Sequence, residues 1–215
     1  MVGQRPLKPS ILVRAQVPQF MQRLLLHTCC APCSAYVLEL LKQYDVSVFY
    51  FNPNIDCLEE YNKRKNECRR YCEKNKIPFI EIPYNHKDWL LYIEGLEKEP
   101  EGGTRCAKCF EFRLTKTAEY AAQHLNNSNY PKNLKDPILF ATTLSISPHK
   151  NSKLINEIGK RIAEKNNLKF LEANWKKEDG YKKSCEISKS EGFYRQNYCG
   201  CEFSKKQRCD SLFNP

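Results

Sequence analysis

No part of this chain carries the run of about 20 apolar residues that a membrane-spanning helix needs. Residues 1–20 contain Arg5, Lys8 and Arg14 but no apolar stretch of the kind found in a secretory leader. The sequence is therefore read as that of a cytoplasmic protein with no membrane partner. Phosphate-cradling loops are also missing: neither G-x-x-x-x-G-K-[ST] nor G-x-G-x-x-G follows an apolar run, and the one close glycine pair, Gly102-Gly103, precedes cysteines. Nothing repeats along the chain. Acidic charge is in short supply, with 25 Asp and Glu against 35 Lys and Arg, a net charge of +10. Because the basic residues recur along the whole length, a polyanionic partner is expected.

Cysteine is the abundant residue, 12 in 215. In a reducing compartment, closely spaced thiols bind metal or exchange electrons more often than they staple a fold. The length suits one core without disulfide support. Residues 1–20, interrupted by Pro6, Pro9 and Pro18, read as an arm, and 21–215 as a single catalytic domain.

From Arg23 onward, short apolar runs alternate with amphipathic ones. Strands are expected at Leu24 to His27, Val46 to Phe51, Phe79 to Ile82, Pro137 to Ala141 and Leu168 to Leu171. Helices are expected at Ala35 to Tyr44, Leu58 to Asn75 and Ala107 to Leu125, with another beginning after Ser147-Pro148 as cap and first turn. Asn126 to Asp136 reads as a loop, and the chain after Trp175 is helical in spacing without a clear strand. This grammar implies a mostly parallel, doubly wound, Rossmann-like α/β sheet with helices on both faces and a helical C-terminal region. In such sheets ligands lie beyond the carboxyl ends of the strands.

Three cysteine groups stand out. His27-Thr28-Cys29-Cys30-Ala31-Pro32-Cys33-Ser34 falls where the first strand gives way to a helix, whose N-terminus favours thiolate charge. Adjacent Cys29 and Cys30 fit two irons of a cluster better than two corners of a small zinc site. Cys106 and Cys109 lie one helical turn apart after Gly102-Gly103. Together with Cys29 and Cys30 they make four thiolates, the number a [4Fe-4S] cluster takes, leaving Cys33 as a fifth thiol beside it. In Cys199-Gly200-Cys201, one glycine separates two thiols, which favours a strained, reducible redox couple over a structural disulfide, with metal ligation as the competing reading. Cys57, Cys68, Cys72, Cys185 and Cys209 read as packing or surface thiols.

These residues resemble the epoxyqueuosine reductases of the cobalamin-independent QueH type. The two longer cysteine motifs match, as do Phe51-Asn52-Pro53-Asn54-Ile55 with Glu60-Tyr61 and Arg64, Thr143 to Pro148, and Tyr194-Arg195-Gln196-Asn197-Tyr198-Cys199-Gly200-Cys201. Asp56 and Cys57 depart from the His-Pro that is associated with the third of these motifs. The resemblance implies Cys29, Cys30, Cys106 and Cys109 as ligands of a [4Fe-4S] cluster. It also implies a redox-active disulfide between Cys199 and Cys201, and a mononuclear iron for which Cys33 is the candidate ligand. The implied activity is two-electron deoxygenation of epoxyqueuosine in tRNA to queuosine, fed by an unidentified electron donor. Candidate substrate contacts are Asn52, Tyr61, Arg64, Ser147, His149 and Arg195, whereas Lys150 reads as a solvated charge. The competing classes are another iron–sulfur or ATP-dependent tRNA-modifying enzyme and a zinc-bound RNA-binding module.

Overall fold

The computed structural model describes residues 21–124 and 138–213, with side chains through residue 207. The expected N-terminal arm, the expected loop Asn126 to Asp136 and the side chain of Cys209 lie outside the described residues. In chain order the elements are β1 (Arg23–His27), α1 (Ala31–Leu40), β2 (Asp45–Tyr50), α2 (Leu58–Lys74), β3 (Phe79–Glu81), α3 (His86–Tyr92) and α4 (Thr104–His124). After these come β4 (Leu139–Thr142), a 3-10 turn (Thr143–Ile146), α5 (Ser152–Lys165), β5 (Lys169–Phe170), α6 (Gly180–Ser190) and α7 (Glu202–Phe213).

The five strands form one sheet in the order β3-β2-β1-β4-β5, every pair parallel, as the alternation of strands and helices requires. A strand in the middle of such a sheet is covered on both faces and reads as a continuous apolar run. Leu24-Leu25-Leu26, all fully buried, do this literally. Leu24 and Leu26 point into a core shared with Ala35, Val37 and Tyr61, on the α1 and α2 side. Leu25 points the other way, into a core with Phe49, Phe140, Leu114 and Ile158, on the α4 and α5 side. Truncating one of these leucines to Ala costs about 2–5 kcal/mol, because the sheet leaves little room for collapse.

Several boundaries differ from the expectation for identifiable reasons. Helix α1 begins at Ala31, not Ala35: Cys30 is its N-cap residue and Pro32, with its fixed φ, fits the first turn. Ser147 does not cap α5. The chain leaves β4 through the 3-10 turn, which Thr142 caps by accepting from Leu144 N, and Ser147 to Lys150 form a further turn in which Lys150 N donates to Ser147 O at 3.3 Å. Asn151 caps α5 instead, its Oδ1 accepting from Lys153 N and Leu154 N. Helix α3, started by Asn85 accepting from Lys87 N, was not anticipated.

The C-terminal region is helical, as its spacing suggested. Helix α6 packs on α1, where Ser184 Oγ donates to Pro32 O. Gly180, the first residue of α6, is required there: a Cβ at this position would lie 1.8 Å from Trp175 O.

Candidate functional site

Strand order decides where the site is. On one side of β1 the chain runs to β2 and β3, on the other to β4 and β5, so the crevice beyond the carboxyl ends of β1 and β4 is the topological switch point. The chain leaves β1 as Thr28-Cys29-Cys30, and leaves β4 as Thr143 to Ser147, so the first cysteine group opens directly into that crevice.

Cys29, Cys30 and Cys33 form a compact triad whose Sγ atoms all lie within 4.8 Å of one another, with Cys29 and Cys30 at 3.8 Å. Thr143 Oγ1 lies 3.7 Å from Cys29 Sγ and accepts from Cys29 N at 3.4 Å. Gln196 Nε2 donates to Cys30 Sγ at 2.9 Å. Hydrogen bonds from the Cys30 and Cys33 thiols hold Cys29 well below the usual thiol range, and the same contact pushes Cys30 up to about 12 and raises Cys33. Negative charge is thus favoured on Cys29 over its two neighbours, and the α1 N-terminus lies beside it.

Beneath the triad is a buried polar layer, of which Arg113 also lines a cavity. Arg113 of α4, 2% exposed, donates from Nε to His27 Nε2 at 3.3 Å and from Nη2 to Asn52 Oδ1. His27 Nε2 also lies 3.2 Å from Phe51 O, and Nδ1 is 2.8 Å from Thr142 Oγ1, so both ring nitrogens are engaged. Burial, followed by the Arg113 charge, lowers the His27 pKa to about 3, so the ring is neutral and serves to position the layer. Asn52 Nδ2 donates to Thr28 O at 2.9 Å, pinning the strand exit that carries the cysteines.

Cys29 and Cys33 line a cavity of about 290 Å³, with Cys30 buried outside its lining, and Cys106 and Cys109 line an adjoining cavity of about 110 Å³. Glu101, His149, Lys150 and Cys199 belong to the walls of both. Cys106 Sγ accepts from Gly102 N at 3.2 Å in the turn before α4. Burial pushes Cys106 up to about 11 and raises Cys109 too. Arg105 Nε and Nη2 are buried donors without a partner among the described residues, Trp89 presents its side chain to the Cys109 thiol, and both residues line the smaller cavity. Orphaned donors beside two thiols suit an anionic, sulfur-rich occupant, which is what a thiolate-bound cluster offers.

Cys199 and Cys201 are free thiols in this structure, Cys199 half-buried between the cavities and Cys201 buried against Trp89, Ile93 and Cys109. Arg64 positions their loop: it pairs with Glu60 at 2.6 Å and donates from Nη1 to Cys199 O at 3.0 Å. Ser204 Oγ accepts from Cys199 N at 3.2 Å and donates to Glu101 Oε2 at 3.0 Å. Gly200 has φ +126°, and a Cβ there would meet Ile55 Cγ1 at 3.0 Å and Arg64 Nη1 at 3.1 Å, so the spacer between the thiols has to be glycine.

Of the expected substrate contacts, Arg64, Ser147, His149 and Arg195 line the larger cavity. Asn52 and Tyr61 do not. Asn52 is spent on Thr28 and Arg113, and Tyr61 is packed between Tyr50 and Tyr84, its ring centroids 5.3 and 4.4 Å from theirs. Lys150, expected to be solvated, instead stands in the shared wall. Burial alone would lower its pKa, but the charges of Cys199, Cys29 and Cys33 outweigh that and raise it. Arg113 and Arg105 were also missed. Arg105 had a signal, since it immediately precedes Cys106; Arg113 had none, because nothing in a helical sequence says which arginine faces a strand exit.

A family model described as epoxyqueuosine reductase QueH matches residues 24–207, a span that contains all three cysteine groups. The chain belongs to the QueH family. Relatives named epoxyqueuosine reductase QueH include that of Haemophilus influenzae, 41% identical over 202 residues, which cover 93% of this chain and 78% of the relative. The Acinetobacter baylyi protein is 41% identical over 200 residues, 92% of this chain and 86% of its own. That of Thermotoga maritima is 34% identical over 191 residues, 87% and 93% respectively. Family membership makes this chain an oxidoreductase, in keeping with thiols gathered at the switch point of the sheet.

Proposed function

We propose that this chain is an epoxyqueuosine reductase acting on tRNA, and that its three cysteine groups form one reaction centre. The observation that carries the reading is convergence: groups far apart in sequence open onto two adjoining cavities with Cys199 in the wall of both. Cys29, Cys30, Cys106 and Cys109 would hold a [4Fe-4S] cluster, and Cys33 would help hold a mononuclear iron beside it. When bound, these groups supply electron transfer and Lewis acidity toward the epoxide oxygen.

The remaining chemistry falls to the chain itself. Removing the epoxide oxygen breaks two C–O bonds, forms the C=C bond and consumes two electrons and two protons as water leaves. Oxidation of the Cys199/Cys201 dithiol to a disulfide forms one S–S bond and releases two electrons and two protons, so one turnover balances within the chain. An external thiol or one-electron reductant then resets the pair. Arg64 and Ser204 hold the dithiol loop, and the Arg113–His27–Asn52 layer holds the triad. His149 and Arg195 at the cavity rim, with the net charge of +10, suit phosphate contacts of a polyanion, and action on tRNA fits a cytoplasmic setting.

The test is a single turnover of anaerobically prepared, pre-reduced protein on epoxyqueuosine-containing tRNA. The protein is expected to be brown and to form about one queuosine per chain without added reductant, in line with a two-electron dithiol. Cys199→Ser is expected to stay brown and form none. A colourless protein with stoichiometric zinc, or a Cys199→Ser variant that turns over normally, would overturn the assignment.

A further inference from the structure

We propose that Lys150 is a hydrogen-bond donor to the substrate oxygen as it leaves, acting beside the Lewis acidity that a bound iron would supply, a role that rests on the reductase reading above. Lys150 stands in the wall common to both cavities, between the cysteine triad and the second cysteine pair. Its main chain is fixed on both sides. Lys150 N donates to Ser147 O at 3.3 Å, Lys150 O accepts from Lys176 Nζ at 2.6 Å, and the next residue, Asn151, caps α5.

Of the other cations lining the two cavities, Arg105 donates from Nη1 to Glu97 O at 2.9 Å and keeps Nε and Nη2 unpartnered among the described residues, and Arg195 Nη2 lies 3.4 Å from Cys185 Sγ. Arg113 is engaged by His27 and Asn52, and Arg64 by Glu60 and the Cys199 carbonyl. Glu101, the one carboxylate among the residues lining the two cavities, accepts from Ser204 Oγ at 3.0 Å. No ion pair joins Lys150 to a carboxylate among the described residues; the groups that act on its charge include Cys199, Cys29 and Cys33. A cation that shares its cavity walls with Cys29, Cys33, Cys106, Cys109 and Cys199, and has no carboxylate partner among the described residues, is available to negative charge that develops in those cavities.

Deoxygenation develops such a charge. When the first C–O bond of the epoxide breaks, its electron pair goes to oxygen. An ammonium with three donors on a flexible stem can follow that oxygen through cleavage of the second bond. The oxygen then departs as water, with the two protons and two electrons that the dithiol gives up. Lys150 is consumed in neither step: it holds the oxyanion while the thiols supply the redox equivalents.

Two variants, Lys150→Gln and Lys150→Arg, test this in the metal-loaded protein. Four quantities are read: single-turnover rate at saturating epoxyqueuosine tRNA, tRNA Kd, iron and sulfide content, and cluster midpoint potential. Lys150→Gln is expected to react about 100-fold more slowly, the usual loss for one oxyanion donor, with Kd, iron content and potential unchanged. Lys150→Arg keeps the charge and is expected to recover to within about tenfold of wild type.

The inference is overturned by a Lys150→Gln rate within about threefold of wild type. It is equally overturned if the rate falls in step with lost iron or a shifted potential, which makes Lys150 a counter-ion of the cluster. A Kd weakened about tenfold with the bound rate intact makes it a phosphate contact instead. Wild-type protein that binds iron yet leaves the epoxide intact removes the reductase reading itself, and the two failures are told apart by that control.

Discussion

The first and second cysteine groups both sit at the start of a helix, yet they differ in character. Cys29, Cys30 and Cys33 are close enough to hydrogen-bond one another, and that contact drives Cys29 toward thiolate. Cys106 and Cys109 are one turn apart at the head of α4 and lack such a contact, and burial raises them both. A helix N-terminus therefore does not by itself make a thiol acidic. Its effect, about 0.3–1 kcal/mol, is smaller than what desolvation removes or what a neighbouring thiol contributes. The first group is a preformed triad whose contacts favour negative charge on Cys29, whereas the second is a pair of thiols that burial raises, beside the unpartnered Arg105 donors, and metal binding would ionise them.

The largest effect that distinguishes the two concerns iron. If both groups hold one cluster, Cys106→Ala loses most of its iron and sulfide just as Cys29→Ala does, while Cys68→Ala, buried in the core off α2, retains them. Metal analysis after anaerobic reconstitution reads this directly. Full iron in Cys106→Ala would break the comparison, leaving the triad as a self-sufficient site.

A smaller effect concerns the loop that touches the second group. Gly200→Ala forces a side chain into φ +126° against Ile55 and Arg64, so a loss of about 1–3 kcal/mol in urea unfolding is expected. The same variant is expected to weaken Arg64's hold on Cys199. An unchanged unfolding midpoint would mean that the loop rearranges freely and that Cys199 is not fixed between the cavities.

The smallest and sharpest test is thiol reactivity in metal-free protein. Cys29, held below the usual thiol range, should be alkylated by iodoacetamide ahead of Cys106, which should gain reactivity only as pH rises toward about 11. Peptide mapping over a pH series measures it. Equal labelling of both at pH 7 would erase the electrostatic difference between the groups.

Much of this was legible in the chain alone. Alternating apolar runs with helical spacers between them fixed a parallel α/β sheet, since strands buried on both faces must be apolar throughout and parallel strands need crossovers. Leu24-Leu25-Leu26 shows that reasoning at one strand. The three cysteine motifs and their family resemblance were equally visible, because thiols at these spacings have few other uses. Local pattern misled where two good signals competed. Ser147-Pro148 looked like a helix start, but the chain first turned through Thr143–Ile146 and gave the cap to Asn151.

What only the tertiary structure decided is which residues meet. Spacing along a sequence carries no information about neighbours across a sheet, and strand order put the exits of β1 and β4 side by side. That adjacency turned Lys150 from an apparent surface charge into a wall of both cavities, buried Arg113 beneath the triad, and left Tyr61 and Asn52 outside the lining of both. The physical reason is that burial and long-range contact set the charge state and role of each side chain, and both are properties of the folded chain.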